Sequence, residues 1–148
     1  MGPTDWDTRG TAAREGLKPL RFLVGRWQGE GASDGVLVRA TLEVSARFGD
    51  TVLEARERLE DDQGELLHED ASFYRYDPVA RQIKVLQIMA HAWVTDQLVQ
   101  AEDWGCRWYS GPEMPRVTLR AEGADGLVEE VWEPEASQPS MKLRYRRV

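Results

Sequence analysis

Cysteine is nearly missing from this chain of 148 residues: Cys106 stands alone, so no intramolecular disulfide can form. Secreted barrels of this size often carry one or two such bridges, and the lack of them points to a reducing, cytoplasmic setting. Histidine is almost as scarce. His68 and His91 lie far apart, no His-Glu-x-x-His or Cys-x-x-Cys spacing occurs, and no dedicated metal site is expected. Long apolar runs are missing too: the longest, Val85 to Val94, is broken by Gln87 and His91, so no membrane span is expected. The N-terminus has neither the basic nor the apolar region of a signal peptide, and Met1-Gly2 lacks the serine or threonine of a myristoylation signal. Basic residues are in deficit, 19 Lys and Arg against 26 Asp and Glu. The net charge of -7 has the wrong sign for a phosphate-tracking surface, which argues against nucleic acid as a partner. The chain has no glycine-rich phosphate loop and no Gly-x-Ser-x-Gly elbow, which disfavours several common enzyme classes.

What is present fits one domain, with 41% hydrophobic and 30% charged residues. A chain of this length buries roughly 68 to 70% of its unfolded surface and needs no covalent staple. Residues 1–16 mix Thr, Asp, Gly and Arg without an apolar period and read as a flexible N-terminal arm; a barrel or sandwich domain then occupies 17–148. Leu17, Leu20, Phe22 and Leu23 around Pro19 predict a short helix that Gly25 stops. From Trp27 onward, alternation with breaks every eight to twelve residues predicts an all-β antiparallel barrel or sandwich. Ten strands are expected near 27–31, 35–48, 51–60, 65–76, 82–90, 93–101, 104–109, 115–122, 127–133 and 140–147.

One hairpin fixes its own register. If Gly49-Asp50 is a two-residue turn, Phe48 faces Thr51, and Val36 through Phe48 at alternate positions lie opposite Leu59, Ala55 and Leu53. The other face then pairs Glu43 with Arg56 and Arg39 with Glu60. The same count places Glu57 on the apolar face, opposite Leu42. A carboxylate there must sit at a rim near water, be hydrogen-bonded, or be paired in a polar pocket. A four-residue Asp61-to-Gly64 loop sets His68 inward, opposite Glu57; a three-residue loop with Gly64 in a bulge turns it outward. Glu57, Asp70 and Glu130 are a candidate acid-base trio, although 26 carboxylates supply such trios by chance.

Gly25-Arg26-Trp27-Gln28-Gly29-Glu30-Gly31 resembles the opening Gly-x-Trp-x-Gly-x-Gly of the nitrobindin-like, heme-binding β-barrel family. His68-Glu69-Asp70-Ala71-Ser72-Phe73-Tyr74-Arg75 is similar to that family's His-x-Glu-x-Gly-Tyr-x-Arg, and Met141 to Val148 to its closing strand. The resemblance implies a single ten-stranded antiparallel calycin-like β-barrel with a short N-terminal helix, a shape shared with lipocalins and fatty-acid-binding proteins. It also implies a Trp27 plug at the closed base under a last-strand arginine, Arg144 or Arg146, and it favours the inward reading of His68. The family's heme ligand is a last-strand histidine. Here Ser140 stands near that position and Met141 is the only soft donor beside it, so the expected cofactor is none, with heme as the alternative.

Cys106 between Trp104 and Trp108 reads as a buried, inert thiol. The abundant aromatics suit a cavity wall. The expected function is therefore binding of a small, largely apolar ligand inside the barrel by Glu57, His68, Asp70, Tyr74, His91, Trp93, Trp132, Met141 and Tyr145; a non-enzymatic binding role is favoured, and no catalytic residue is assigned. One alternative is a heme protein with nitric-oxide or peroxynitrite chemistry. The other is an interaction module using the basic run Lys142, Arg144, Arg146 and Arg147. A homodimer is compatible with each.

Overall fold

Alternating side chains leave one row of each strand for the core and one for water, and a sheet of ten such strands can bury the inner row only by curling round on itself. That is the architecture in this computed structural model, which describes residues 3–148 apart from Ser110 and Pro112, with the side chains of residues 3–7 and of His91 also outside the described residues. The strands are β1 Gly25–Ser33, β2 Val36–Arg47, β3 Val52–Glu60, β4 Leu66–Asp77, β5 Gln82–Met89, β6 Trp93–Glu102, β7 Gly105–Tyr109, β8 Arg116–Glu122, β9 Gly126–Trp132 and β10 Met141–Arg147. Each pairs antiparallel with its neighbours in sequence, and β1 also pairs with β10, which closes the barrel.

The β2–β3 register is the expected one, with Leu42 opposite Glu57, Glu43 opposite Arg56 and Arg39 opposite Glu60. The turn that produces it is longer than two residues. Phe48, Gly49 and Asp50 all take positive φ, Arg47 faces Val52, and Phe48 leaves the apolar row to stand 79% exposed. The ion pairs also shift to neighbours along and across the strands: Glu54 receives Arg47 and Arg56 at 3.0 Å each.

A helix, α1 Pro3–Leu17, occupies a stretch where no helix is expected. Its sequence has little amphipathic period, so it leaves no pattern to read. It is held by docking. Leu17 is fully buried, Gly16 lies so close on the Tyr76 ring that a Cβ would collide with it, and Arg14 reaches the carbonyl of Gly49 at 3.3 Å. A 3-10 helix, Lys18–Leu23, follows where the apolar patch around Pro19 predicts a helical turn.

These helices close one end. Leu20, Leu23 and Trp27 are buried there, and the Trp27 indole N–H donates to the Leu23 carbonyl at 2.9 Å. The cation over that indole is Arg147, 4.1 Å from the ring centroid, not Arg144 or Arg146. Register explains the correction: Arg147 faces Trp27 across β10 and β1 and points inward, whereas Arg144 and Arg146 belong to the outward row. Trp104 also departs from expectation. Gly105 at φ 149 breaks the alternation, and Trp104 packs under Arg120 rather than beside Cys106 and Trp108. Among the described residues no helix is long and apolar enough to cross a membrane.

Candidate functional site: a carboxyl cluster beneath an open mouth

Following the pairing register around the barrel identifies every inward position. Toward the closed base those side chains fill the space: Leu53, Val85, Cys106 and Leu127 have no exposed surface. Toward the other end the rim positions Val36 and Trp93 are 52% and 61% exposed and the His68 side chain 33%, while Met141 is buried. The barrel is therefore cup-like, packed toward the base and exposed at its rim.

Between the two halves lies a polar layer. Glu57 on β3, Glu129 on β9 and Tyr145 on β10 converge across the interior, and the Tyr145 hydroxyl donates to Glu57 Oε2 at 2.6 Å. The carboxyls of Glu57 and Glu129 lie within hydrogen-bonding reach of each other, each residue only 7% exposed. Burial raises the pKa of both, and that of Glu129 well above its ordinary value, with the charge of Glu57 adding to the effect. Two buried carboxyls this close disfavour double ionisation, so the pair favours holding one proton between them. Among the described residues no donor reaches Oε1 of Glu129, and the Trp108 indole N–H, also buried, has no acceptor.

Asp70 stands opposite Glu57 across β3 and β4, and His68 stands opposite Leu59. His68 thus faces inward, but not opposite Glu57: a register shift between Leu59 and Glu60 follows the turn, where Asp61 Oδ1 accepts the N–H groups of Gln63 and Glu65. His68 Nε2 lies 2.8 Å from Asp70 Oδ2, and this hydrogen bond raises the imidazole pKa against the opposing effect of burial.

First-strand glycines make the convergence possible. Gly29 sits opposite Tyr145, where a Cβ would approach the phenol ring to 2.7 Å, and a Cβ on Gly31 would collide with the Lys142 carbonyl. The Gly-x-Gly after Trp27 therefore has a steric cause: it lets β10 lie close to β1 and gives the Tyr145 ring room to reach β3.

Of the residues expected to form the site, Glu57, His68, Asp70 and Tyr145 come together. Tyr74 is buried just below, edge-on to Trp108 at 5.7 Å between centroids. Met141 is buried and faces inward near the mouth, and Trp93 occupies an inward position at the rim. Trp132 does not belong: it lies on the outer row of β9, under Arg116 at 5.5 Å. The His91 side chain lies outside the described residues. Glu129 is the residue that sequence reasoning missed, taking Glu130 in its place. Along β9 the rows Leu127, Glu129, Val131 and Val128, Glu130, Trp132 are equally amphipathic, so alternation alone does not say which faces in.

Compared with known proteins, the chain matches no family model and no curated protein.

The described residues do not fit an iron-binding set. Ser140 offers no imidazole and its hydroxyl donates to the Val131 carbonyl at 3.2 Å, while Asp70 occupies His68 Nε2. No group of three or more His, Cys, Asp or Glu among them is placed to hold a metal ion. A broad concavity of about 1430 Å³ lies elsewhere, on the outer face of β1, β2 and β10. Its lining is charged, and some of these charges are paired, Arg144 with Glu122 at 2.9 Å and Arg58 with Glu60 at 2.8 Å.

Proposed function

We propose that the barrel binds a small organic molecule, its apolar body toward the rim of the cup and a polar end on the carboxyl layer. The observation that carries this reading is the pair of buried interior atoms without partners, Glu129 Oε1 and Trp108 Nε1, beneath the exposed rim. Each such atom costs about 1–3 kcal/mol when left unpaired, a cost that a bound ligand supplying the missing partner removes. The resemblance of the first, fourth and last strands to nitrobindin-like, calycin-type barrels supports the same reading without its heme. Binding is favoured over covalent catalysis because the one thiol, Cys106, is fully buried and its pKa is pushed up to about 12 by that burial.

Chemical-shift mapping with a neutral aromatic alcohol, tryptophol, tests the proposal. Expected are shifts confined to the cup, at His68, Trp93, Val131 and Met141, and their loss in Met141→Arg, which plugs the mouth. Shifts confined to the outer face would overturn it.

A further inference from the structure

We propose that the ligand of this cup is a small organic amine, whose ammonium group sits between the Glu57 and Glu129 carboxyls. The inference rests on the ligand-binding reading above and adds the chemical class. Two independent observations carry it. Inside, three carboxyls, Glu57, Asp70 and Glu129, face a single cationic group, His68, which is already engaged by Asp70, and Glu129 Oε1 lacks a donor. An ammonium group supplies N–H donors and positive charge together, whereas a carboxylate or phosphate ligand would add repulsion in a site shielded from water.

Outside, the described loop residues around the mouth are acidic. They are 34–35, 61–65, 90–92, 111, 113–115 and 133–140, and they contain Asp34, Asp61, Asp62, Glu65, Glu113, Glu133 and Glu135, no lysine or arginine, and one histidine, His91, whose side chain lies outside the described residues. The loops at the base are mixed, with Arg81 among Asp50, Asp103 and Asp125. A ring of carboxylates over a low-dielectric cup draws cations toward it and repels anions. No group of three or more His, Cys, Asp or Glu among the described residues is placed to hold a metal ion, so the cation proposed is an organic one.

The exchange balances in protons. A protonated amine enters, the shared proton leaves to solvent, and the two glutamates face the ammonium as carboxylates. The groups around them are Asp70, His68 and Tyr74 on β4, Cys106 on β7 and Tyr145 on β10, of which only His68 carries positive charge. Amine affinity therefore rises with pH while the amine itself stays protonated.

Calorimetric titration of the full chain with three indoles of one size tests the proposal: tryptamine, neutral tryptophol and anionic indole-3-acetate. At neutral pH tryptamine is expected to bind about tenfold or more tighter than tryptophol, with indole-3-acetate weakest. Repeating the titration in buffers of different ionisation enthalpy should show a proton released by tryptamine and none by tryptophol. Glu129→Gln should abolish the amine preference and keep tryptophol binding. Glu133→Gln with Glu135→Gln, at the exposed rim, should weaken tryptamine alone, so the idea stays testable if the core variant fails to fold. Equal affinities, or tryptamine binding without proton release, would overturn the amine assignment and leave ligand binding standing. Failure of all three indoles to bind would overturn both.

Discussion

Tyr145 and Glu57, 88 residues apart, are joined by a 2.6 Å hydrogen bond that runs across the barrel interior from β10 to β3, over the strands β1 and β2 that separate them in the sheet. Tyr145→Phe keeps the ring packed against Gly29 and removes the donor. Leaving the buried Glu57 carboxylate short of a partner should lower stability by about 1–3 kcal/mol, read from the urea midpoint at neutral pH. In acid, where Glu57 is protonated, the difference should shrink. An unchanged midpoint at neutral pH would show that the bond contributes nothing.

The contribution of the interior carboxyls and His68 to stability should fall as pH rises, opposite in sign to that of Glu54 and Asp77, whose pKa values are lowered. Glu57 and Glu129 have raised pKa values in the folded protein, so each binds its proton more tightly folded than unfolded. Their contribution is complete below the ordinary glutamate value of 4.5 and is lost as pH climbs through the folded values. His68, also raised, has the same sign: its contribution is complete below 6.5 and is lost as pH rises through its folded value. Urea melts across this range should show Glu129→Gln flattening the part of the decline that begins above 4.5 while leaving the histidine part in place. A profile parallel to the parent's would contradict the shared proton.

Trp27→Ala should be among the most damaging single changes. It removes a buried indole, its hydrogen bond to Leu23 and the surface on which Arg147 rests, and loss of a buried aromatic costs about 3–5 kcal/mol. Trp27→Phe keeps most of the apolar area and should be milder. A double-mutant cycle with Arg147→Ala reads the stacking contribution directly: coupling indistinguishable from zero would mean that the guanidinium serves the carbonyls of Phe22 and Val24 alone.

Cys106 should resist thiol reagents in the folded protein at mildly alkaline pH, because burial holds the thiol protonated with a pKa of about 12. Titration with Ellman's reagent should find no fast-reacting thiol natively and one in denaturant. A fast native reaction would mean that the packed half of the cup opens readily.

The strand plan was legible in the sequence because alternation and turn residues agree with each other. The β2–β3 register held even though the turn is longer than Gly49-Asp50, since adding one residue on each side of a turn leaves the pairing unchanged. Glu57 was legible as a carboxylate in an apolar row. What covers it was not: Tyr145 and Glu129 reach it only after the barrel closes, and the two rows of β9 look alike. Helix α1 was illegible for a different reason, since docking of Gly16 and Leu17 holds it rather than any period of its own. Trp93 and Trp132 show that a tryptophan on a strand says little about which side of the wall it occupies.

Closure between the first and last strands has a consequence for synthesis. Until Met141 to Arg147 leave the ribosome, β1 and β9 each present a row of unpaired N–H and C=O groups, and Glu57 waits without the hydroxyl that satisfies it. A sheet of β1 to β9 that formed before β10 docked would have two adhesive margins. Once β10 docks, both margins vanish together, and no partner can add a strand to the finished protein without first prying one out.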